Sequence, residues 1–336
     1  ALAVFNGALY AGGAFTTAGG VSSPALASWN GSSWQQNPVT GFVGSINAFS
    51  VFNSTLIFGG NFAFNPGSGG GALNYIGGWT GSAIQRLGGG MDGPVYALKA
   101  FAGQLIAAGG FSHANSNAAN QIAAWNPSLA NWQALGTGVT SANSLLRALE
   151  EYDGKLFAAG QCWTVGGKDV RMIAAWDATE WRAVGHGVND QVVCFASYNN
   201  SLIAGGLQTR ADGEACGRVT RLLGVSWQPV GAGLGLGFGT AAVSEMASYS
   251  GSLVAGGNFD RVVGGAVIGA LAKWNGSSWQ GFDPLPASAT WYEVRAILAD
   301  QSDLYVGGLT SGGGTGNRVM KWNGIQWQQL GGQFNG

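Results

Sequence analysis

The chain has 336 residues, of which 60 are Gly and 14 Trp, while charged residues make up only 9% and the formal net charge is -1. Soluble domains ordinarily carry roughly 25% charged residues, so this sequence is turn-rich, aromatic and weakly charged, and with no basic run it lacks the footprint of a nucleic-acid or anionic-membrane partner. No window approaches the ~18 consecutive apolar residues of a membrane span; the opening ALAVFNGALY lacks the basic start of a signal peptide, and the missing initiator Met points to a processed or excised chain.

In chain order, the first apolar run ALAVF (1–5) turns at Asn6-Gly7 into ALYAGG (8–13); a third run, ALASW (25–29), turns at Asn30-Gly31 into a fourth that begins at Trp34. Asn-Gly or Asp-Gly between apolar runs is the strongest short hairpin signal, because type I′ turns need positive φ at both central residues. The hexapeptide WNGSSW at 29–34 returns at 274–279, a distance of 245 residues or five steps of 49. Aligned on its second Trp, the chain gives Trp34, Ile84, Trp132, Trp181, Trp227, Trp279 and Trp327, with spacings of 46 to 52. Upstream in each unit the second of two small residues is always glycine: Gly13, Gly60, Gly109, Gly160, Gly206, Gly257 and Gly308. Such a position needs positive φ or a close approach that Cβ would obstruct.

Each unit therefore reads as two hairpins, YALKAF (96–101) and LAKW (271–274) being further examples of first and third strands. Four strands of about 49 residues cannot bury both faces alone, and stacking such units radially predicts an all-β, seven-bladed β-propeller of four-stranded antiparallel blades. It is a single domain over 1–336 with blades near 1–40, 41–90, 91–138, 139–187, 188–233, 234–285 and 286–336. The Trp residues of the WNG hairpins, Trp29, Trp34, Trp125, Trp132, Trp176, Trp181, Trp274, Trp279, Trp322 and Trp327, read as blade-to-blade core. Because the chain runs from a first strand to a fourth, closure is expected through blade packing and the tail GGQFNG, with no blade shared between the termini.

The order of apolar strand, double glycine, then aromatic and Trp in the next hairpin resembles the kelch repeat of kelch-type and galactose-oxidase-like propellers. WNPSLANW (125–132) matches the kelch hairpin, with Trp125 at the usual Tyr position. Elsewhere the hairpin is two residues shorter and looks more like the WNG-type repeats of bacterial secreted and surface proteins. The resemblance covers the whole chain and implies fold more than activity, since kelch-like propellers mostly bind partners or scaffold.

Catalytic chemistry finds little support. Copper catalysis of the galactose-oxidase kind needs two His with Tyr and a Cys-modified Tyr on the axis, whereas His113 and His186 sit on different loops and read as loop residues; no metal or other cofactor is expected. Sialidase-type chemistry wants an Arg triad with Tyr and Glu, and the inner-strand columns offer Glu150, Glu151 and Glu245 with Arg147 and Arg295 near strand starts, a weak pattern. The GGG runs at 69–71, 88–90 and 312–314 read as turn glycines, because no helix follows to supply phosphate-binding amides. No catalytic residue is assigned, and the chain reads as a non-enzyme.

Departures from the repeat point elsewhere. Trp163, Trp291 and the neighbouring Tyr292 fall outside the Trp register, and Arg171, Arg210, Asp212 and Glu214 belong to a concentration of charge on loops of blades 4 and 5. These loops share one face, so the seven residues form the expected ligand-binding set for a glycan or protein ligand. Cys194 occupies the inner column held elsewhere by Ala1, Ala48, Ala97, Ala148 and Ala296; Cys162 and Cys216, on loops of adjacent blades, are candidates for a disulfide. Asn30, Asn53, Asn199 and Asn275 begin N-x-[ST] sequons in turns on the opposite face and are candidate glycosylation sites. The expectation is an extracellular or cell-surface binding or adhesion module acting through its long-loop face, the alternative being a structural subunit that self-associates into a surface layer or filament.

Overall fold

The computed structural model describes residues 1–36, 41–64, 73–282, 290–311 and 316–335, all in strands and turns. The GGG runs at 69–71 and 312–314 lie outside the described residues. Blade 1 is built from Leu2–Phe5, Ala8–Gly12, Leu26–Trp29 and Trp34–Gln35, hydrogen-bonded in that order, and the same antiparallel order recurs in every blade. Six blades stand as separate four-stranded sheets. The seventh, Thr290–Asp300, Asp303–Ser311, Gly316–Trp322 and Trp327–Gln329, is fused at its third strand to the C-terminal strand Phe334–Asn335, which continues into Thr17–Ala18 and Val21–Ser22 of blade 1.

First strands adjoin their neighbours all the way round, blade 1 meeting both blade 2 and blade 7. Seven buried apolar clusters fill the described interfaces, one between each pair of neighbouring blades, the last joining Leu9, Ala11 and Trp34 of blade 1 to Val319, Leu330 and Phe334. The ring thus closes with seven blades.

The double glycine has a specific steric cause. In blades 2 to 7 the first strand carries a β-bulge that skips one residue against the second strand: Asn47, Tyr96, Arg147, Val193, Ser244 and Arg295. Opposite each bulge stands the second glycine, where a Cβ would fall well under 3.0 Å from a carbonyl oxygen just before the bulge, that of Pro94 for Gly109 and Ala242 for Gly257. Backbone cannot yield as a flexible side chain would, so only glycine fits. The first hairpins are of the expected type, with Asn6 at φ 49 and Gly7 at φ 75. In the WNG hairpins the Asn is instead the acceptor of an Asx turn: Asn30 Oδ1 takes the amides of Ser32 and Ser33, both at 2.9 Å, so Trp29 and Trp34 face each other directly with centroids 5.4 Å apart.

The Trp that closes this hairpin does more than pack. Its indole N–H reaches across the blade interface and donates to the carbonyl that opens an apolar-Gly-x-Gly-apolar connector after the preceding blade: Trp132 to Leu87 (2.9 Å), Trp181 to Leu135 (2.9 Å), Trp227 to Val184 (3.1 Å) and Trp279 to Val230 (2.9 Å). The far end of each connector bridges the small ribbon between second and third strands of the next blade, Met91 to Ala114, Val139 to Val165, Val188 to Ala211 and Leu234 to Val262. The tail repeats this device, since Trp34 donates to Leu330 (2.7 Å) and Phe334 pairs with Ala18. Among the described residues no strand of blade 7 comes from the N-terminus; residues 331–335 of the tail take the connector's place, as the sequence predicts.

Phe334 is buried against Phe15 and Trp34, with centroids 4.9 Å from each. Phe334→Ala is expected to cost about 3–4 kcal/mol through the cavity it leaves, lowering the chemical-denaturation midpoint while Phe238→Ala, at a fully exposed position, leaves it in place.

Candidate functional site

The six bulges share one consequence. A bulge re-aims the residue it displaces, and Asn47, Tyr96, Arg147, Val193, Ser244 and Arg295 all line a single cavity of about 530 Å³ around the propeller axis. First-strand starts, the beginning of the long loop of blade 1 (Gly13 to Phe15) and Phe334 of the tail complete its wall, so it opens on the face that carries the long loops and connectors. The hairpin turns bearing Asn30, Asn53, Asn199 and Asn275 are exposed on the other face. In size the cavity falls within the roughly 300–1,000 Å³ of small-molecule sites.

Its electrostatics differ from the rest of this weakly charged chain. Three guanidiniums, Arg147, Arg295 and Arg318, line it against one carboxyl, Glu245. Arg147 stacks over the Tyr96 ring with its guanidinium carbon 5.0 Å from the centroid, and its Nε is buried without a hydrogen-bond partner. Arg295 is held by Glu293 at 2.8 Å and Arg318 by Gln329 at 3.0 Å. Asn47 accepts from Ser45 Oγ at 3.1 Å, which fixes its amide at the rim.

Glu245 is out of place in its own column. It pairs with Gly256 as Ala48 pairs with Gly59, Ala97 with Ala108, Ala148 with Ala159, Cys194 with Gly205 and Ala296 with Gly307. The blade therefore asks for a small apolar residue there. The Glu245 side chain keeps part of its surface open to the cavity, but the cavity lies inside the ring, and burial pushes its carboxyl up from 4.5 to about 7, against the smaller pull of the Met246 amide and the amino terminus.

The seven residues expected to bind ligand fall differently, and none of them lines the axial cavity, whereas Glu245, Arg147 and Arg295, a weak catalytic pattern in the sequence, all do. Trp163 (51% exposed) and Tyr292 (70%) stand in solvent on the long-loop face. Trp291 does not: it is 9% exposed and packs against Trp327 in the interface of blades 6 and 7, because the first strand of blade 7 starts early, at Thr290, and carries it into the core. Asp212 is committed to structure, accepting the His186 and Trp227 amides at 2.7 Å each. Arg210 donates to Gly213 of its own ribbon at 2.9 Å, Arg171 faces Asp169 at 3.8 Å, and Glu214 is exposed. His113 contacts Asp92 at 3.0 Å rather than His186, and no metal-ligating group gathers among the described residues.

The disulfide expected between Cys162 and Cys216 is absent; both are free and buried, Cys162 between blades 3 and 4 and Cys216 between blades 4 and 5. They fill apolar positions in different layers, and burial holds both thiols above their usual range, to about 12 and about 11. Cys194 is the buried small residue that its column implies, its thiol 3.7 Å from the Gly205 carbonyl.

No family model matches the chain, and no curated protein does. Solved structures do. The WD40 β-propeller domain of Doa1 is similar over 96% of this chain and 92% of that one, at 16% identity and a TM-score of 0.55. The computationally designed Ika8 protein is similar over 88% of this chain and 78% of its own, at 14% identity and a TM-score of 0.50. At such identities the likeness concerns the fold, and the chain is a β-propeller.

The misplaced carboxyl has a measurable cost. Below pH 4.5 Glu245 is protonated folded or unfolded; from there to about 7 the folded state keeps a proton that the unfolded chain releases, so stability declines as pH rises. The loss reaches at most about 3 kcal/mol. Glu245→Ala is therefore expected to melt like the wild type at pH 4 and several degrees above it at pH 8, in parallel calorimetric scans.

Proposed function

We propose that this propeller is a non-catalytic binding module, extracellular or displayed at a cell surface, which seats its ligand in the axial mouth of the long-loop face. The convergence of six bulged residues on one cavity carries this reading. Bulges repeated in six blades build a mouth whose residue types vary freely, Asn, Tyr, Arg, Val, Ser and Arg, while the glycines behind them do not vary. A constant frame with variable contact residues is how a binding surface is set on a rigid scaffold. Trp163 and Tyr292 extend the surface outward with flat aromatic faces suited to a sugar ring or a peptide. The kelch-like and WNG-like order of the repeat, the low charge and the four exposed sequons favour a secreted or surface location.

A glycan array probed with the intact protein tests the reading. Ser244→Trp fills the mouth from a bulge, where the added ring meets cavity rather than core. It is expected to cut the array signal at least about tenfold with an unchanged circular-dichroism melt, while Asn199→Gln on the opposite face leaves the signal intact. Equal signals from wild type and Ser244→Trp would refute the axial mouth as the seat.

A further inference from the structure

The chemistry of the cavity wall narrows what it takes. Arg147 lies over Tyr96 with its guanidinium carbon 5.0 Å from the ring centroid, and its buried Nε has no protein acceptor. Arg295, presented by the bulge of blade 7, and Arg318, from the third strand of that blade, line the same space. Guanidiniums arranged around one pocket select planar oxyanions, which they hold by paired charge-assisted hydrogen bonds. The remaining polar wall, Asn47, Ser45, Ser244 and Asn317, offers uncharged donors and acceptors suited to hydroxyl groups.

We propose that the axial cavity binds a polyhydroxylated carboxylate, a sugar acid, with the carboxylate on Arg147 and Arg295 and its hydroxyls on the amide and hydroxyl side chains of the wall. The inference rests on the reading of the axial mouth as the binding seat and adds the charge and class of the ligand. A carboxylate fits better than a phosphate monoester for two reasons. Glu245 shares the wall, and its ionised form, reached as pH rises through about 7, repels a dianion more than a monoanion. The walls are also made by side chains of strands, with no helix N-terminus to supply a cradle of amides. The volume of about 530 Å³ accommodates one or two sugar units.

Isothermal titration of the intact protein with four probes, glucuronate, gluconate, glucose and glucose 6-phosphate, decides the matter. Glucuronate or gluconate is expected to bind at least about tenfold more tightly than glucose, the size of one charge-assisted hydrogen-bond contribution; which of the two is tighter separates a ring acid from an open-chain acid. Arg147→Gln is expected to bring the acid down to the level of glucose, and Arg147→Lys, which keeps the charge but loses the fork, to fall between. Lys155→Gln, an exposed change at the opposite face, is expected to leave the titration unchanged. The proposal is overturned if the acids bind no better than glucose, if the phosphate binds more tightly than either acid, or if folded Arg147→Gln keeps wild-type affinity. Glucose binding that Ser244→Trp abolishes, without any preference for the acids, would sink the carboxylate assignment and leave the axial mouth standing. Silence from all four probes overturns the sugar-acid assignment, while the array with Ser244→Trp independently reports on the mouth.

Discussion

The approach of a glycine to a carbonyl oxygen organises this molecule. In six blades the first strand bulges, and the carbonyl before the bulge lies where the opposing residue would place its Cβ. The glycine permits the bulge, the bulge bends the inner strand, and the displaced residue is left facing the axis. A single steric requirement, repeated, therefore accounts for the most regular feature of the sequence and for the most variable surface of the fold. Function, on this view, is written in the residue that each bulge releases from the pleat.

The second organising interaction is the tryptophan that clasps the connector behind it. A propeller has no central core, and each blade must hold its neighbour. Packing alone is non-directional, whereas an indole N–H donated to a buried carbonyl sets the distance and register of one blade against the next. Five of these bonds are described, and the one from Trp34 to Leu330 spans the two ends of the sequence. With the tail taking the place of a connector, the closing interface is built like the others. Glu245 stands against this economy. A carboxyl in a column of Ala and Cys costs stability near neutral pH, a local violation that the needs of the blade do not explain.

Much of the architecture was legible in the sequence because it is periodic. The steps of about 49 residues, the turns with positive φ at Asn6 and Gly7 and the Trp pairs are all local signals, and the structure shows them as read. The bulge was not legible, since a residue skipped in every blade leaves the period unchanged. Its trace is present in the obligatory glycine, and Glu245, Arg147 and Arg295 stand out in the inner-strand columns, but only as a weak catalytic pattern, while the departures from the repeat point to the loops. The connector is in view as well: Leu135-Gly-Thr-Gly-Val139 and Val184-Gly-His-Gly-Val188 recur with the blades, and GGG at 88–90 forms the turn it reads as, but its part in a connector shows only when Trp132 is seen to donate to Leu87. Trp291 misled because an aromatic outside the register looks exposed; the long first strand of blade 7 carries it into the interface. The cysteines misled because proximity of loops along the chain says nothing about which interblade layer a side chain enters.

The central claim is that the glycine exists for the bulge and the bulge for the mouth. Gly257→Ala places a methyl group against the Ala242 carbonyl and should force the bulge at Ser244 to open. Hydrogen–deuterium exchange of this variant tests the claim directly. The expected result is faster exchange confined to the first two strands of blade 6 and to the axial ends of the blades beside it, with the outer Trp hairpins protected as before. Wild-type exchange throughout, with an unchanged melting temperature, would contradict it and return the repeated spacing of these glycines to an ordinary turn preference.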